Sequence, residues 1–185
     1  MTKPIPELSY SQELADLAPW DRSFWLSRAF IEAARVLCEK MLEEEFSSQY
    51  SSSRVIVHLA RQGIELFLKA ALDASGRSVS RTHDLNALLA SYKEHYTDAA
   101  FDFTVPPRFA TSLTFSLFEA DDKILHGTMD QRFRFATDLV GQSFATPEVF
   151  DCIQVLEEVQ LLDRELKVVE WCRIRPYLDG NPFIR

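Results

Sequence analysis

Residues 54–76 read RVIVHLARQGIELFLKAALDASG, a densely apolar run. Its apolar residues recur every three or four positions, the spacing of one face of a helix: Val55, Ile56, Leu59, Ile64, Phe67, Leu68, Ala71 and Leu72. Gly76 follows where a left-handed C-terminal cap needs a glycine. We therefore predict a helix over about 52–75, and its apolar density indicates that it lies at the centre of the fold.

The segments on either side predict two further helices. Residues 21–46 place apolar side chains on one broad face and charged side chains on the other. Residues 83–92 repeat leucines and a tyrosine at the same spacing, and Thr82 or Asp84 can cap the start of that helix.

The last helix is predicted over about 146–173. Thr146 is the expected cap, and Pro147 occupies the first helical position, where its missing N–H costs nothing. Pro176 is expected to end the helix, because proline interrupts the backbone hydrogen-bond ladder.

The region 107–142 has an ambiguous pattern. Residues 112–117 alternate polar and apolar, as a strand does, yet Phe109, Leu113 and Leu117 also fit a helix. The helical neighbours favour a helix over 107–125 and a loop over 126–142. With only five glycines in 185 residues, the predicted fold class is all-α: an up-and-down bundle of about four or five helices, with an arm over 1–18 and one domain over 19–185.

The net charge and the cysteine content disfavour several classes of function. The formal net charge is -8, which disfavours non-specific attraction to nucleic acid or anionic membrane while leaving room for a local basic patch. The three cysteines are widely spaced, which suits reduced thiols in a cytoplasmic protein better than a disulfide framework. No membrane span is expected, because charged residues interrupt every apolar stretch.

Residues 58–72, Gly76 and residues 82–89 together resemble the HEPN domain family (higher eukaryotes and prokaryotes nucleotide-binding). The resemblance lies in Gly63-Ile64-Glu65 and Lys69-Ala70-Ala71-Leu72 on the central helix, followed by His83-Asp84-Leu85 and Leu88-Leu89. Residues 130–136 stand where the family often has an arginine, an aromatic residue and a proline, but the proline is missing here.

The resemblance implies a helical bundle that commonly forms a homodimer and sometimes pairs with a nucleotidyltransferase-type antitoxin. Many members are metal-independent endoribonucleases that use an arginine followed several places later by a histidine. In this chain the pair with that spacing is Arg77 and His83, with five residues between them. The arginine precedes a helix here instead of lying within a later helix of the bundle. We therefore expect a non-catalytic module that binds RNA, a nucleotide or a partner protein, and keep the ribonuclease as the alternative.

The start of the third helix supplies the candidate binding residues. Arg77, Arg81, His83 and Asp84 could form a nucleotide or anion site at the free amides of that helix. The structural alternative is that His83 hydrogen-bonds to the backbone and the arginines are solvated. In the ribonuclease alternative, Arg77 stabilises charge on the phosphate and His83 transfers a proton.

Four further residues are candidates for supporting roles. Glu65 and Lys69 stand four apart in the favourable order, so they predict either an ion pair or a pair that orients the loop around His83. Arg132 and Arg134 alternate with phenylalanines that could stack on bases or pack in the core or a dimer interface.

No metal site or cofactor is expected. His58 lies on the apolar central helix and is interpreted as a core residue, while His95 and His126 make no zinc constellation. A glycine-rich phosphate loop and a C-x-x-C motif are also missing from the sequence.

Overall fold

The computed structural model describes residues 16–43, 49–78, 82–110 and 150–180. Its helices are α1 (Pro19–Glu43), α2 (Gln49–Ala74), α3 (Leu85–His95), α4 (Cys152–Val169) and α5 (Arg175–Leu178). A 3-10 turn (Ala99–Phe101) follows α3, and a π segment (Glu170–Ile174) joins α4 to α5. The described residues contain no strand, which confirms the all-α prediction. None of the described helices is long and apolar enough to cross a membrane.

Helices α1 and α2 form an antiparallel pair at the centre of the described fold. Phe24 packs on Phe67 with ring centroids 5.3 Å apart, and the Ser27 hydroxyl donates to the Gly63 carbonyl at 2.7 Å, so residue numbers rise along one helix as they fall along the other. Helix α3 packs on α2, and α4 packs mainly on α1. The central position predicted for 52–75 is thereby confirmed.

An aromatic cluster joins α2 and α3 to the chain that follows α3. Phe103 lies edge-on to Phe67 and to Tyr92, with centroids 5.3 and 5.5 Å apart. The Tyr92 and Tyr96 hydroxyls donate to the carbonyls of Phe101 and Ala71, both at 2.8 Å, so their polar ends are satisfied inside the core.

Two predicted helix ends are confirmed. Gly76 has φ +76°, its N–H donates to the Asp73 carbonyl, and the Arg77 N–H donates to the Leu72 carbonyl, which together make a left-handed cap on α2. Asp84 caps α3 by accepting from the amides of Asn86 and Ala87.

Both predicted ends of the last helix are wrong. Helix α4 begins at Cys152, because the Asp151 carboxylate accepts from the amides of Ile153 and Gln154 and its own backbone is extended. Pro176 does not end the helical path. The Arg175 N–H bonds five residues back, to the Glu170 carbonyl, and Pro176 then falls in the first turn of α5, where a missing N–H is tolerated.

The helix predicted over 107–125 does not begin at Pro107. Residues 107–109 form a turn in which Phe109 and Ala110 donate to the Pro106 carbonyl. The choice between helix and strand over 112–117, the loop over 126–142 and most of the N-terminal arm fall outside the described residues.

Candidate functional site

Glu65 is the centre of the candidate site. It lies on a buried face of α2 and is only 6% exposed. One turn later, the Lys69 Nζ is 2.7 Å from Glu65 Oε1. The predicted ion pair is therefore present, and it is largely shielded from solvent.

His83 binds the same carboxylate from the segment that precedes α3. Its Nδ1 is 3.0 Å from Glu65 Oε1 and 3.2 Å from Oε2. An ionised carboxylate only accepts, so Nδ1 carries the proton and donates. Both interpretations of Glu65 and Lys69 therefore apply. The two residues form an ion pair, and the carboxylate of that pair also holds His83 just before α3. A bond from His83 to the backbone, the structural alternative, is replaced by this contact.

The rest of the His83 ring faces outward. The side chain is 66% exposed, and within the described ranges Nε2 makes no hydrogen bond. The site therefore presents one imidazole nitrogen to solvent while a buried carboxylate holds the other.

Asp84 occupies the amides that were expected to bind an anion. Its Oδ1 accepts from the backbone N–H groups of Asn86 at 2.9 Å and Ala87 at 3.2 Å, and its own N–H donates to Thr82 Oγ1 at 3.0 Å. An external anion at this helix start would have to displace a carboxylate that already satisfies both donors.

Arg77 acts electrostatically on a different histidine. It is exposed beyond the Gly76 cap, and burial followed by the Arg77 charge lowers the pKa of His95. In the described part of the chain no hydrogen bond joins Arg77 to His83. Arg81, Arg132, Arg134 and His126 lie outside the described residues.

The remaining described histidines are packed among other side chains. His95 lies edge-on to Tyr96 with centroids 4.6 Å apart, and its buried Nε2 has no hydrogen-bond partner in the described structure. His58 is half-buried on α2 and interacts with a neighbour. No group of three metal-ligand side chains occurs within the described ranges.

Sequence reasoning missed a buried charge cluster at the end of α4. Glu170 is 1% exposed and accepts from Arg175 Nε at 3.0 Å and Nη2 at 2.7 Å; Arg175 also binds Asp21 at the start of α1. Arg28 Nε lies 3.6 Å from the other Glu170 oxygen, and its guanidinium is 4.1 Å from the Trp25 ring centroid. The signal was the series Leu162, Leu166 and Glu170, which continues the buried stripe of α4 by four-residue steps.

Comparisons with protein-family models, with curated proteins and with solved structures found no match to this chain.

Proposed function

We propose that this chain is a HEPN-like helical module that binds RNA or a nucleotide through the surface around His83 and does not itself catalyse a reaction. The observation that carries the proposal is the exposed His83 ring held by the buried Glu65 carboxylate. The family resemblance supplies the ligand class.

The Glu65–His83 contact prepares the ring for binding. A fixed side chain loses less conformational freedom when a ligand arrives, which lowers the cost of association. The exposed Nε2 can accept a hydrogen bond from a base or ribose hydroxyl when neutral, and can donate to a phosphate when protonated. Lys69 offsets the Glu65 charge, which reduces its repulsion of an incoming anion.

The binding role is favoured over catalysis because Arg77 and His83, which were expected to act together, interact with different residues. The Arg77 charge contributes to the lowered pKa of His95, while His83 is hydrogen-bonded to Glu65. Phosphate cleavage by His83 therefore lacks its expected cation within the described part of one chain.

The ribonuclease remains a second candidate on one specific observation. A carboxylate on Nδ1 with Nε2 facing outward is the arrangement that holds a general base in the correct tautomer. In this alternative a second copy of the chain supplies the arginine across a homodimer interface.

Exposed apolar side chains on α4 support the homodimer. Ile153, Leu161 and Val168 are 61%, 38% and 51% exposed, and at 3.6 residues per turn they fall within an arc of about 80°. Light scattering should report a dimer, and Leu161→Glu should shift it toward monomer, while Lys93→Glu, at an exposed position on α3, should not. The nucleotidyltransferase-type antitoxin is proposed from the resemblance alone, and co-expression with such a protein followed by size-exclusion chromatography tests it.

Nucleotide titration followed by NMR tests the binding proposal. We expect mononucleotides to shift the amide signals of residues 82–87, and His83→Ala to lose most of the binding while the protein stays folded. Lys93→Ala, at an exposed position on α3, is the control for a general loss of surface charge. Unmoved signals with mononucleotides and with short single-stranded RNA would refute the proposal.

RNA incubation in EDTA separates the two candidates. Cleavage by the wild-type protein that disappears in His83→Ala would replace the binding proposal with the ribonuclease. Binding without cleavage would support the non-catalytic module.

A further inference from the structure

Cys38 and Cys152 meet although 114 positions separate them in the chain. Cys38 lies on α1 with no exposed surface, and Cys152 is the first residue of α4. The Cys152 thiol donates to the Cys38 backbone carbonyl at 3.5 Å, and the proximity of Cys152 adds to the effect of burial in raising the pKa of Cys38. Both thiols are free.

We propose that Cys38 and Cys152 are a redox modification site, at which a low-molecular-weight disulfide oxidises the two thiols to a reversible disulfide that ties α1 to the first turn of α4.

The two cysteines have different roles in this reaction. Cys152 is half-buried and is the thiol that solvent reaches, whereas Cys38 is enclosed. Burial raises the pKa of Cys38 to about 12, and burial also raises the pKa of Cys152. Attack therefore begins at Cys152, and the raised pKa of each thiol makes its thiolate scarce at neutral pH, so oxidation is slow and its rate increases with pH.

The exchange is balanced in two steps. The Cys152 thiolate attacks one sulfur of the small disulfide, forms a mixed disulfide and releases one small thiolate, which takes up a proton. Cys38 then loses its proton and attacks the Cys152 sulfur, which forms the Cys38–Cys152 bond and releases the second small thiol. The protein loses two protons and two electrons, and the small disulfide takes up both to become two thiols.

Cys172 provides the matched control. It is exposed on the π segment and has no cysteine partner within the described ranges. Cys172→Ser therefore removes the competing surface thiol while leaving the proposed pair unchanged.

The test is incubation of the folded full-length Cys172→Ser variant with oxidised glutathione, followed by alkylation and mass spectrometry. We expect the mass to fall by two hydrogens, a tryptic peptide that joins Cys38 to Cys152, and full reversal by dithiothreitol. The oxidised form should also unfold at a higher urea concentration than the reduced form, since a cross-link restricts the unfolded chain.

Two double variants, each with one further substitution in the Cys172→Ser protein, identify the order of attack. In Cys172→Ser/Cys38→Ala the reaction should stop as a glutathione adduct on Cys152, and in Cys172→Ser/Cys152→Ala the enclosed Cys38 should stay unmodified. Free thiols that persist at both positions in the folded Cys172→Ser protein, or a bond that forms only in urea, would overturn the proposal.

Discussion

At the scale of single residues, the burial of Glu65 fixes the orientation of the His83 ring. A carboxylate that is 6% exposed has little access to water, so it depends on Lys69 and His83 for its hydrogen bonds. The same contacts keep the exposed imidazole in one orientation.

Glu65→Gln should destabilise the protein by about 1–3 kcal/mol, because the neutral amide leaves a partly buried ammonium without its counter-charge and replaces one of the two oxygens near His83 Nδ1 with an N–H donor. Urea unfolding measures the change. Glu39→Gln is the matched control, since Glu39 is paired with Arg35 on the same i, i+4 spacing but is 37% exposed; its effect should stay within about 0.5 kcal/mol. Equal losses in the two variants would contradict the importance of burial.

His95 should make stability depend on pH. Burial and the Arg77 charge lower its folded pKa below 6.5, so between the folded pKa and 6.5 the unfolded state binds more protons than the folded state. The contribution of His95 to stability is therefore fully present above pH 6.5 and is lost as the pH falls through the folded pKa.

The urea midpoint measured across this pH range tests the His95 prediction. His95→Gln, which does not titrate, should show a flatter slope below pH 6.5 than the wild-type protein. Arg77→Gln should reduce the slope in part, because only the charge contribution is removed. An unchanged slope in His95→Gln would assign the pH dependence to other groups.

At the scale of elements, the contact between α1 and α2 depends on a residue without a side chain. A Cβ on Gly63 would lie 2.5 Å from Ile31 Cδ1 and 3.1 Å from the Ser27 carbonyl. Glycine weakens a helix by about 1 kcal/mol relative to alanine, so its presence here is explained by the close approach of the two helices.

Gly63→Ala should destabilise the protein by about 1–3 kcal/mol despite the better helix propensity of alanine, because overpacking outweighs that gain. Ile31→Ala removes both side-chain carbons, Cδ1 and Cγ1, that the new methyl group would meet at 2.5 and 2.6 Å. The double variant should therefore be more stable than the sum of the two single effects predicts, as a thermodynamic cycle from urea unfolding would measure. If the effects of the two single substitutions were strictly additive, the clash with Ile31 would not be the cause of the destabilisation.

At the scale of the whole molecule, Arg175 joins the beginning and the end of the described chain. Asp21 at the start of α1 and Glu170 in the π segment both bind its guanidinium, and the Trp171 ring lies 4.3 Å from it. Burial would lower the pKa of Arg175, but the bonds to Asp21 and Glu170 raise it overall. The π segment is what brings Glu170 and Arg175, five residues apart, onto one side.

Glu170→Gln should cost about 3–5 kcal/mol in urea unfolding, since it leaves two partly buried guanidinium groups with one fewer counter-charge. The loss of charge should affect Arg28 more than Arg175, because Arg28 Nε and Nη2 already lack a hydrogen-bond partner in the described structure. Asp163→Asn breaks the surface pair with Lys167 and is the control, with an expected effect below about 1 kcal/mol. If Glu170→Gln left the free energy of unfolding unchanged, packing against Trp25 and Trp171 alone would hold the two arginines in place.

Local patterns along the chain were sufficient for the helices and some of their ends. The spacing of Ile64, Phe67, Leu68 and Ala71 predicted α2, and Gly76 and Asp84 marked its end and the start of α3, because periodicity and capping involve residues only a few positions apart. The last helix was placed less well, since Asp151 and Thr146 are both good caps and local propensity does not choose between them.

The site and the buried pairs required the tertiary structure. Glu65 and His83 are 18 positions apart, Cys38 and Cys152 are 114 apart, and Asp21 and Arg175 are 154 apart. The sequence named Glu65, Lys69 and His83 as candidates, but their common contact, and the effect of the Arg77 charge on His95, depend on how α2 and α3 pack. Contacts of this kind are set by the relative positions of helices, which follow from the sum of many packing interactions and leave no periodic mark on either segment alone.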